Sequence, residues 1–342
     1  LGKAYRSTHT YQCLTVNEKS AVRDVFFADG ASLEIPVDVS GVKGQKVVVL
    51  KIWADQGDIS QLTIHNLAIK VGTAAAANKY SGVFAIEHQG NHIQQLTIDG
   101  ANLYNLSNNG IVTYALRTTL TDIHTENTGK HGISARNPYN PGEAHYLTIN
   151  GHTSINDFSS INCSGAEPAG NPKAVIPGDF WEGDIRNVQS IGSGHGIKTA
   201  GNWNLYMENI EVIGSDHYGF FVNKNAPDYH IKIKNLTVEN ARLAGISLSN
   251  KTNVEMQNVK VIGCPDGVLL QRSLTKIDSL LIDGKGKATK GLRIPSNAEI
   301  SNFTVTGITG EYPVWVIAGD VTLRNGKIIG NDCRVPIMIK ET

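Results

Sequence analysis

Glycine followed by an apolar residue recurs along most of this chain at a nearly constant spacing. Asparagines followed by apolar residues form a second series that runs nine or ten residues ahead of several of these glycines. Self-similarity with a period of about 20 to 50 residues is typical of a solenoid or another repeat array. The glycine pairs, with steps of 22, 64, 23, 26, 22 and 24 residues, are Gly110-Ile111, Gly132-Ile133, Gly196-Ile197, Gly219-Phe220, Gly245-Ile246, Gly267-Val268 and Gly291-Leu292.

Each period contains two or three short runs of alternating apolar residues, such as 231–233 and 236–238. Alternation at period two predicts strands with one buried face. Glycine, asparagine and aspartate separate the runs, and these residues tolerate left-handed turn conformations. No period carries an apolar stripe at helical spacing, and propeller blades are longer, at about 40 residues. We predict an all-β fold, a right-handed single-stranded parallel β-helix of about ten coils, with the apolar residues after the glycines stacked in one interior row.

The two ends of the sequence differ in how well they keep the period. Residues 1–55 lack it and are predicted to form an N-terminal cap that covers the open end of the core. Residues 56–342 are predicted to form the β-helix. Its 64-residue step contains two coils and two insertions, 136–144 and 164–181, which hold five of the eleven prolines. Both insertions follow the glycine-phase strand, so we expect them to leave one corner of adjacent coils and to border a binding site.

Composition restricts the partners. Lys+Arg and Asp+Glu both total 31, and the zero net charge gives no support to a nucleic-acid partner. The sequence contains no run of 18 apolar residues, so it predicts no membrane-spanning helix. The sequence begins with neither a signal peptide nor a Met. A secreted protein of this size could use disulfides, and the wide spacing of the cysteines here mildly favours folding in a reducing cytosol. No metal-binding spacing occurs, so we expect neither metal nor cofactor and four small buried thiols: Cys13, Cys163, Cys264 and Cys333.

Titratable residues are densest on the coils beside the two insertions. Taken singly, each has an ordinary interpretation: the histidines as corner residues bonded to backbone, the cations as solvated strand faces, the carboxylates as loop caps, and Trp181 as the core of an insertion. Taken together, they predict a site. The basic members are His131, Arg136, His195, Lys198 and His217; the acidic members are Glu143, Glu167, Asp179, Glu182, Asp184 and Asp216; Trp181 and Trp203 flank them.

Two reactions suit this set, and the residues do not choose between them. Hydrolysis of a glycosidic bond uses two carboxylates; Glu182 and Asp184 are the predicted pair, with Asp216 as the alternate. Elimination from a uronide uses a cation and a base; Arg136 or Lys198 would be the cation, and His195 or His217 the base. The members expected to bind the substrate, in part through aromatic ring faces, are His131, Arg136, Glu143, Glu167, Asp179, Trp181, Trp203 and His217.

The two ladders and the coil length near 23 residues resemble those of the pectate-lyase-like β-helix superfamily over residues 55–340. The frequent loops and the missing disulfides and signal resemble bacteriophage tailspike depolymerases. This resemblance implies a homotrimer that cleaves a bacterial surface or extracellular polysaccharide, on a phage tail or secreted. Many members open with an Asp-Gly-x-x-Asp-Asp-x-x-Ala segment. Residues 27–32 are the nearest match here and are not followed by the Asp-Asp pair, so no catalytic residue carries over by motif.

Several alternatives to the tailspike interpretation stay open. A secreted bacterial polysaccharide lyase or uronan epimerase fits the same ladders, and so does a non-catalytic glycan-binding adhesin or fibre shaft. The homotrimer has support from the residues as well, since contiguous exposed apolar surface usually marks an interface. The apolar end 337–339 and the expected outward positions of Phe221 and Leu269 are the residues that favour it.

Overall fold

A computed structural model describes residues 5–7, 10–35, 46–72, 79–87, 90–136, 145–164, 181–201, 203–225, 230–249, 253–271, 274–333 and 335–340. Strands and tight turns make up almost all of the described residues, and one short 3₁₀ helix covers Glu18–Ser20. The chain divides into two compact units, unit 1 (Leu1–Glu182) and unit 2 (Gly183–Thr342). The described residues include no helix with the length and apolar character needed to cross a bilayer.

Unit 1 is a stack of mostly parallel strands, and from β5 to β11 each strand pairs with the strand two places further along the chain. One ladder runs β5–β7–β9–β11–β13 and a second runs β6–β8–β10–β12. β2 pairs in parallel with β5, so the ladder begins inside the segment predicted as a cap. The strands are β1 (Tyr5–Ser7), β2 (Thr10–Asn17), β3 (Asp24–Phe26), β4 (Leu33–Ile35), β5 (Lys46–Ala54), β6 (Leu62–Val71), β7 (Lys79–Glu87), β8 (Gln95–Tyr104), β9 (Ile111–Thr113), β10 (Arg117–Glu126), β11 (His131–Arg136), β12 (His145–Ile155) and β13 (Ser159–Ser164).

Unit 2 repeats this pattern, with ladders β15–β17–β19–β21–β22 and β16–β18–β20–β22 that both continue into β23. Strands that pair in parallel two places apart make one coil per pair of strands, which confirms the predicted parallel β-helix. The strands are β14 (Trp181–Ile191), β15 (His195–Gly201), β16 (Asn204–Ile213), β17 (Tyr218–Asn225), β18 (His230–Glu239), β19 (Ala244–Ser249), β20 (Asn253–Ile262), β21 (Asp266–Gln271), β22 (Leu274–Ile294), β23 (Ala298–Val316), β24 (Val321–Arg324), β25 (Lys327–Ile329) and β26 (Ile337–Ile339).

The predicted interior row is present in each unit. Its members are register partners on successive coils, and the predicted ones are at most 1% exposed. Burying one such side chain contributes about 1.5–3 kcal/mol. The rows are Val83, Ile111, Ile133 and Ile161 in unit 1, and Ile197, Phe220, Ile246, Val268, Leu292 and Val314 in unit 2.

The glycines before this row recur because the next coil occupies the place of a side chain. A Cβ on Gly110 would lie closer than 3.0 Å to the carbonyl oxygen of Gly132. Gly196 and Gly267 meet the carbonyls of Gly219 and Gly291 in the same way. Glycine is the only residue that allows this approach without moving the neighbouring backbone.

The asparagine series lies at a left-handed corner of the coil in unit 2, with φ of 56°, 57°, 57° and 56° at Asn187, Asn209, Asn235 and Asn258, and Ser279 takes this corner in the next coil with φ of 63°. Nδ2 of Asn209 donates to Oδ1 of Asn187 at 3.0 Å, and the next two steps measure 2.9 and 3.1 Å. Asparagine tolerates this conformation better than other side-chain-bearing residues. We call this row of stacked amides the asparagine ladder. Each asparagine in it adopts the left-handed corner conformation and also hydrogen-bonds to the next coil.

Some residues expected at the surface are less exposed than predicted. Phe221 and Leu269 are only partly exposed, because each packs on its register neighbours along the outward row. Ile337 and Ile339 are 39% and 67% exposed. The homotrimer stays a prediction, and Phe221 and Leu269 expose less apolar surface than expected from the sequence.

Two of the four cysteines are buried and unpaired, as predicted. Burial raises the pKa of Cys163 to about 12 and that of Cys264 to about 11. Cys333 is partly exposed, and the side chain of Cys13 lies outside the described residues. Cys163 and Cys264 therefore behave as small apolar core residues.

Candidate functional site

The two predicted insertions contribute little to the described structure. Glu143, Glu167 and Asp179 lie outside the described residues, and so does the side chain of Trp181. Glu182 is exposed at the last position of unit 1, whereas Asp184 belongs to unit 2. A groove between the insertions, and the joint action of Glu182 and Asp184, therefore stay predictions.

Asp184 is tied to a neighbour on its own strand. The Nε and Nη2 atoms of Arg186 donate to its two carboxylate oxygens at 2.7 and 3.0 Å. The hydrogen bond from Arg186 to Asp184 raises the pKa of the guanidinium. Glu208 lies 3.4 Å from the same guanidinium. The predicted acid–base role of Asp184 therefore competes with a bidentate ion pair.

Four rings gather at the start of β15 and β17 in unit 2. The cluster, named here the histidine–aromatic cluster, consists of His195, His217, Tyr218 and Phe221. The ring centroid of His195 lies 4.9, 5.8 and 5.7 Å from those of His217, Tyr218 and Phe221, with interplanar angles of 26°, 15° and 15°. Tyr218 and Phe221 stack at 4.7 Å. Such offset, nearly parallel rings attract one another beyond their area burial.

The coil repeat explains why these rings meet. The turn before β17 lies directly over the turn before β15, where the N–H of Asp216 donates to the carbonyl of Ser193 at 2.9 Å and that of His217 to Gly194 at 2.8 Å. In the strands that follow, Lys198 and Phe221 are register partners. Residues 23 apart in sequence are thus neighbours in space, which brings three of the predicted residues, His195, His217 and Lys198, together.

Burial gives His195 an unusual charge state. His195 is buried and only 8% exposed. Desolvation, followed by the positive fields of His217 and Lys198, lowers the pKa of His195 to about 4. The imidazole is therefore neutral at ordinary pH. His217 is partly exposed with a buried Nδ1, so Nε2 is its nitrogen that can meet a ligand.

Acid is expected to weaken unit 2 through His195. The unfolded imidazole takes up a proton below its ordinary pKa of 6.5, while the folded one does so only below about 4. Between these values the unfolded state binds more protons, so stability falls as pH falls. Denaturant unfolding at about pH 7 and about pH 4.5 should differ by on the order of 1 kcal/mol more in the native protein than in His195→Gln. An equal loss in both proteins would contradict this assignment.

The other predicted residues lie apart from the cluster or have structural contacts. Trp203 is 3% exposed and packs in the core of unit 2, which corrects the expectation that its ring face is open to a sugar. Asp216 is exposed beside the cluster. In unit 1, His131 is 6.4 Å from the ring of Phe158. Arg136 donates from Nε to Oγ of Ser134 at 3.1 Å and from Nη1 to the hydroxyl of Tyr114 at 3.5 Å.

Unit 2 also contains a groove that sequence reasoning missed. It encloses about 490 Å³ over β16, β18, β20, β22, β23 and β24. Lys232 and Lys234 are among the residues that line it. Acids and bases alternate from coil to coil, with nitrogen–oxygen distances of 3.5 Å for Lys232–Glu255, 3.4 Å for Lys234–Glu208 and 3.8 Å for Lys276–Glu299. Residues of opposite charge about one coil length apart in the sequence could have indicated this groove.

The lysines of this charged groove pair with carboxylates on neighbouring coils. In the histidine–aromatic cluster, the rings of His217, Tyr218 and Phe221 are partly exposed beside Lys198. The described residues hold no group of three or more His, Cys, Asp or Glu side chains placed to ligate a metal ion. The cluster is therefore the better candidate functional site. No known protein-family profile matches this chain, and no curated protein matches it significantly in sequence.

Proposed function

We propose that this protein binds an acidic polysaccharide and cleaves it by elimination at the histidine–aromatic cluster. The observation that carries the proposal is a neutral, almost buried His195 stacked among His217, Tyr218 and Phe221 beside Lys198. Elimination from a uronide needs a cation for the carboxylate and a base for the adjacent proton. His217, in the turn before β17, is the base, and Lys198, on β15 beside the cluster, is the cation.

Four of these five residues take part in the proposed reaction. Tyr218 and Phe221 offer ring faces to the sugar, and Lys198 neutralises the uronate carboxylate, which stabilises the developing carbanion. Nε2 of His217 takes the proton next to the carboxylate. The electron pair left behind forms a carbon–carbon double bond as the bond from carbon to the glycosidic oxygen breaks. The leaving oxygen receives a proton from the hydroxyl of Tyr218, so atoms and charges balance.

Hydrolysis has less support from the described residues of unit 2. It requires two carboxylates that share the scissile bond, and Asp184 has both oxygens occupied by Arg186. Asp216 is exposed beside the cluster but pairs with no second acid among the described residues. The basic and neutral character of the cluster therefore favours elimination over hydrolysis.

The test is a direct assay on uronate polymers. The native protein is incubated with polygalacturonate, alginate and hyaluronan, while polymer size and the ultraviolet absorbance of unsaturated uronides are followed. His217→Gln should lower the rate about 10²-fold or more. His230→Gln, which changes an exposed histidine on β18, serves as the matched control and should keep full activity.

Three results would overturn the proposal. Shorter products without new absorbance would indicate a hydrolase. Binding without any change in polymer size would indicate an adhesin. Full activity in His217→Gln would place the chemistry outside the cluster.

A further inference from the structure

Four cations gather on one outward face of unit 1. Lys46 and Lys79 are register partners at the start of β5 and β7. Lys130 precedes β11, and Arg136 ends it. All three lysines are exposed and Arg136 is partly exposed. These four residues are named here the basic face.

The basic face lacks the charge pairing that the chain uses elsewhere. None of its four residues forms an ion pair in the described part of unit 1, whereas the lysines of the charged groove each face a carboxylate one coil away. Like charges directly across adjacent strands destabilise a sheet. Partial burial, followed by Arg136, Lys79 and Lys46, lowers the pKa of Lys130. The four cations therefore repel one another, and none of them pairs with a carboxylate among the described residues of unit 1.

Aromatic side chains lie among these cations. Phe84, on β7, is partly exposed, and its ring centroid is 6.3 Å from that of Tyr114. The guanidinium of Arg136 donates hydrogen bonds to the hydroxyls of Tyr114 and Ser134. On β5, the Nζ of Lys51 lies 3.3 Å from the centroid of Trp53, a partly exposed residue. Ring faces suit the apolar side of a sugar, and the cations suit an anionic substituent on it.

We infer that the basic face is a second binding surface, which takes an acidic polysaccharide through its carboxylate or sulfate groups. The surface is formed by residues of unit 1 alone and needs no cleavage to act. The chain as a whole has a formal net charge of +0, so it lacks the overall positive field by which nucleic-acid-binding domains attract their ligand. A local row of cations beside exposed rings matches a charged sugar polymer better.

Binding is tested with defined polymers by calorimetry at one low ionic strength. The probes are an alginate oligomer for carboxylate, heparin for sulfate, dextran as the neutral sugar and single-stranded DNA as the other polyanion. Native protein should bind alginate or heparin but not dextran. The double variant Lys79→Glu/Lys130→Glu should bind at least about tenfold more weakly.

The matched control makes the same change in net charge outside the basic face. Lys19→Glu/Lys70→Glu alters two exposed lysines of unit 1 and should bind like the native protein. Equal losses in the two double variants would overturn the inference, because general charge would then explain binding. Unchanged affinity in Lys79→Glu/Lys130→Glu would also overturn it. Thermal melts of all variants establish that they are folded.

Two further variants separate this inference from its rivals. Phe84→Ala should weaken binding of the sugar polymers and leave DNA binding unchanged, and DNA bound as tightly as alginate and heparin would overturn the sugar assignment. Binding that survives in Lys79→Glu/Lys130→Glu and disappears in His217→Gln would place the polymer at the cluster instead. Absence of cleavage by the native protein would sink the proposed reaction and leave this surface standing.

Discussion

Replacing Asp157 with alanine is expected to destabilise unit 1 by about 3–5 kcal/mol. Asp157 is 1% exposed. Its Oδ2 accepts hydrogen bonds from the hydroxyls of Thr125 and Ser154, and its Oδ1 accepts one from the N–H of Thr128 at 2.8 Å. Removing the carboxylate leaves three donors in the core without their acceptor, and each such donor costs about 1–3 kcal/mol.

Denaturant unfolding measures this loss. Asp99→Ala is the matched control, since the Asp99 side chain is 54% exposed and its pairing with His65 at 3.3 Å lies at the surface. The control is expected to change stability by less than about 0.5 kcal/mol. If Asp157→Ala unfolds at the same denaturant concentration as the control, the buried carboxylate does not stabilise the coil.

Replacing Gly110 with alanine is expected to cost about 3 kcal/mol. The new methyl group would lie closer than 3.0 Å to the carbonyl oxygen of Gly132 and 3.1 Å from Cγ2 of Thr125. Backbone of the next coil cannot move aside without stretching the ladder hydrogen bonds. The strain therefore spreads into a core that is already close-packed.

Gly57→Ala tests whether the effect belongs to the stacked position. Its Cβ would meet only the flexible side chain of Glu18, at 3.5 and 3.9 Å, so it is expected to be nearly neutral. Unfolding curves of the two variants, measured side by side, decide the matter. Equal destabilisation of the two variants would mean that the approach of the next coil does not explain the glycine repeat.

The fold could be predicted because its determinants are local and repeat in each coil. Gly110 and Gly267 each mark a place where a neighbouring carbonyl excludes a side chain, and Asn209 and Asn235 each mark a left-handed corner. A signal repeated at a constant phase fixes the register between coils, since each interior residue then lies over its counterpart. The interior row followed from that register without any knowledge of the loops.

The candidate site was harder to predict because it depends on which side chains meet across coils. The bidentate pairing of Asp184 with Arg186 is a choice between rotamers, and the burial of Trp203 depends on packing that periodicity does not encode. Lys46 and Lys79 align across a stretch that keeps no period, so their juxtaposition left no trace in the sequence. The repeat predicts where a residue lies along a coil, and the contacts of its side chain are decided by other residues.

The asparagine ladder has a consequence for how such a chain can change in evolution. Asn187, Asn209, Asn235 and Asn258 keep the same corner geometry and the same hydrogen bond although 22, 26 and 23 residues separate them. Each corner thus resets the path of the backbone whatever the loop between corners has done. A genetic duplication or deletion that begins and ends at equivalent asparagines would add or remove one whole layer without disturbing those above and below. The number of coils can therefore change one coil at a time, and a loop can lengthen on one coil while the other coils are unaffected.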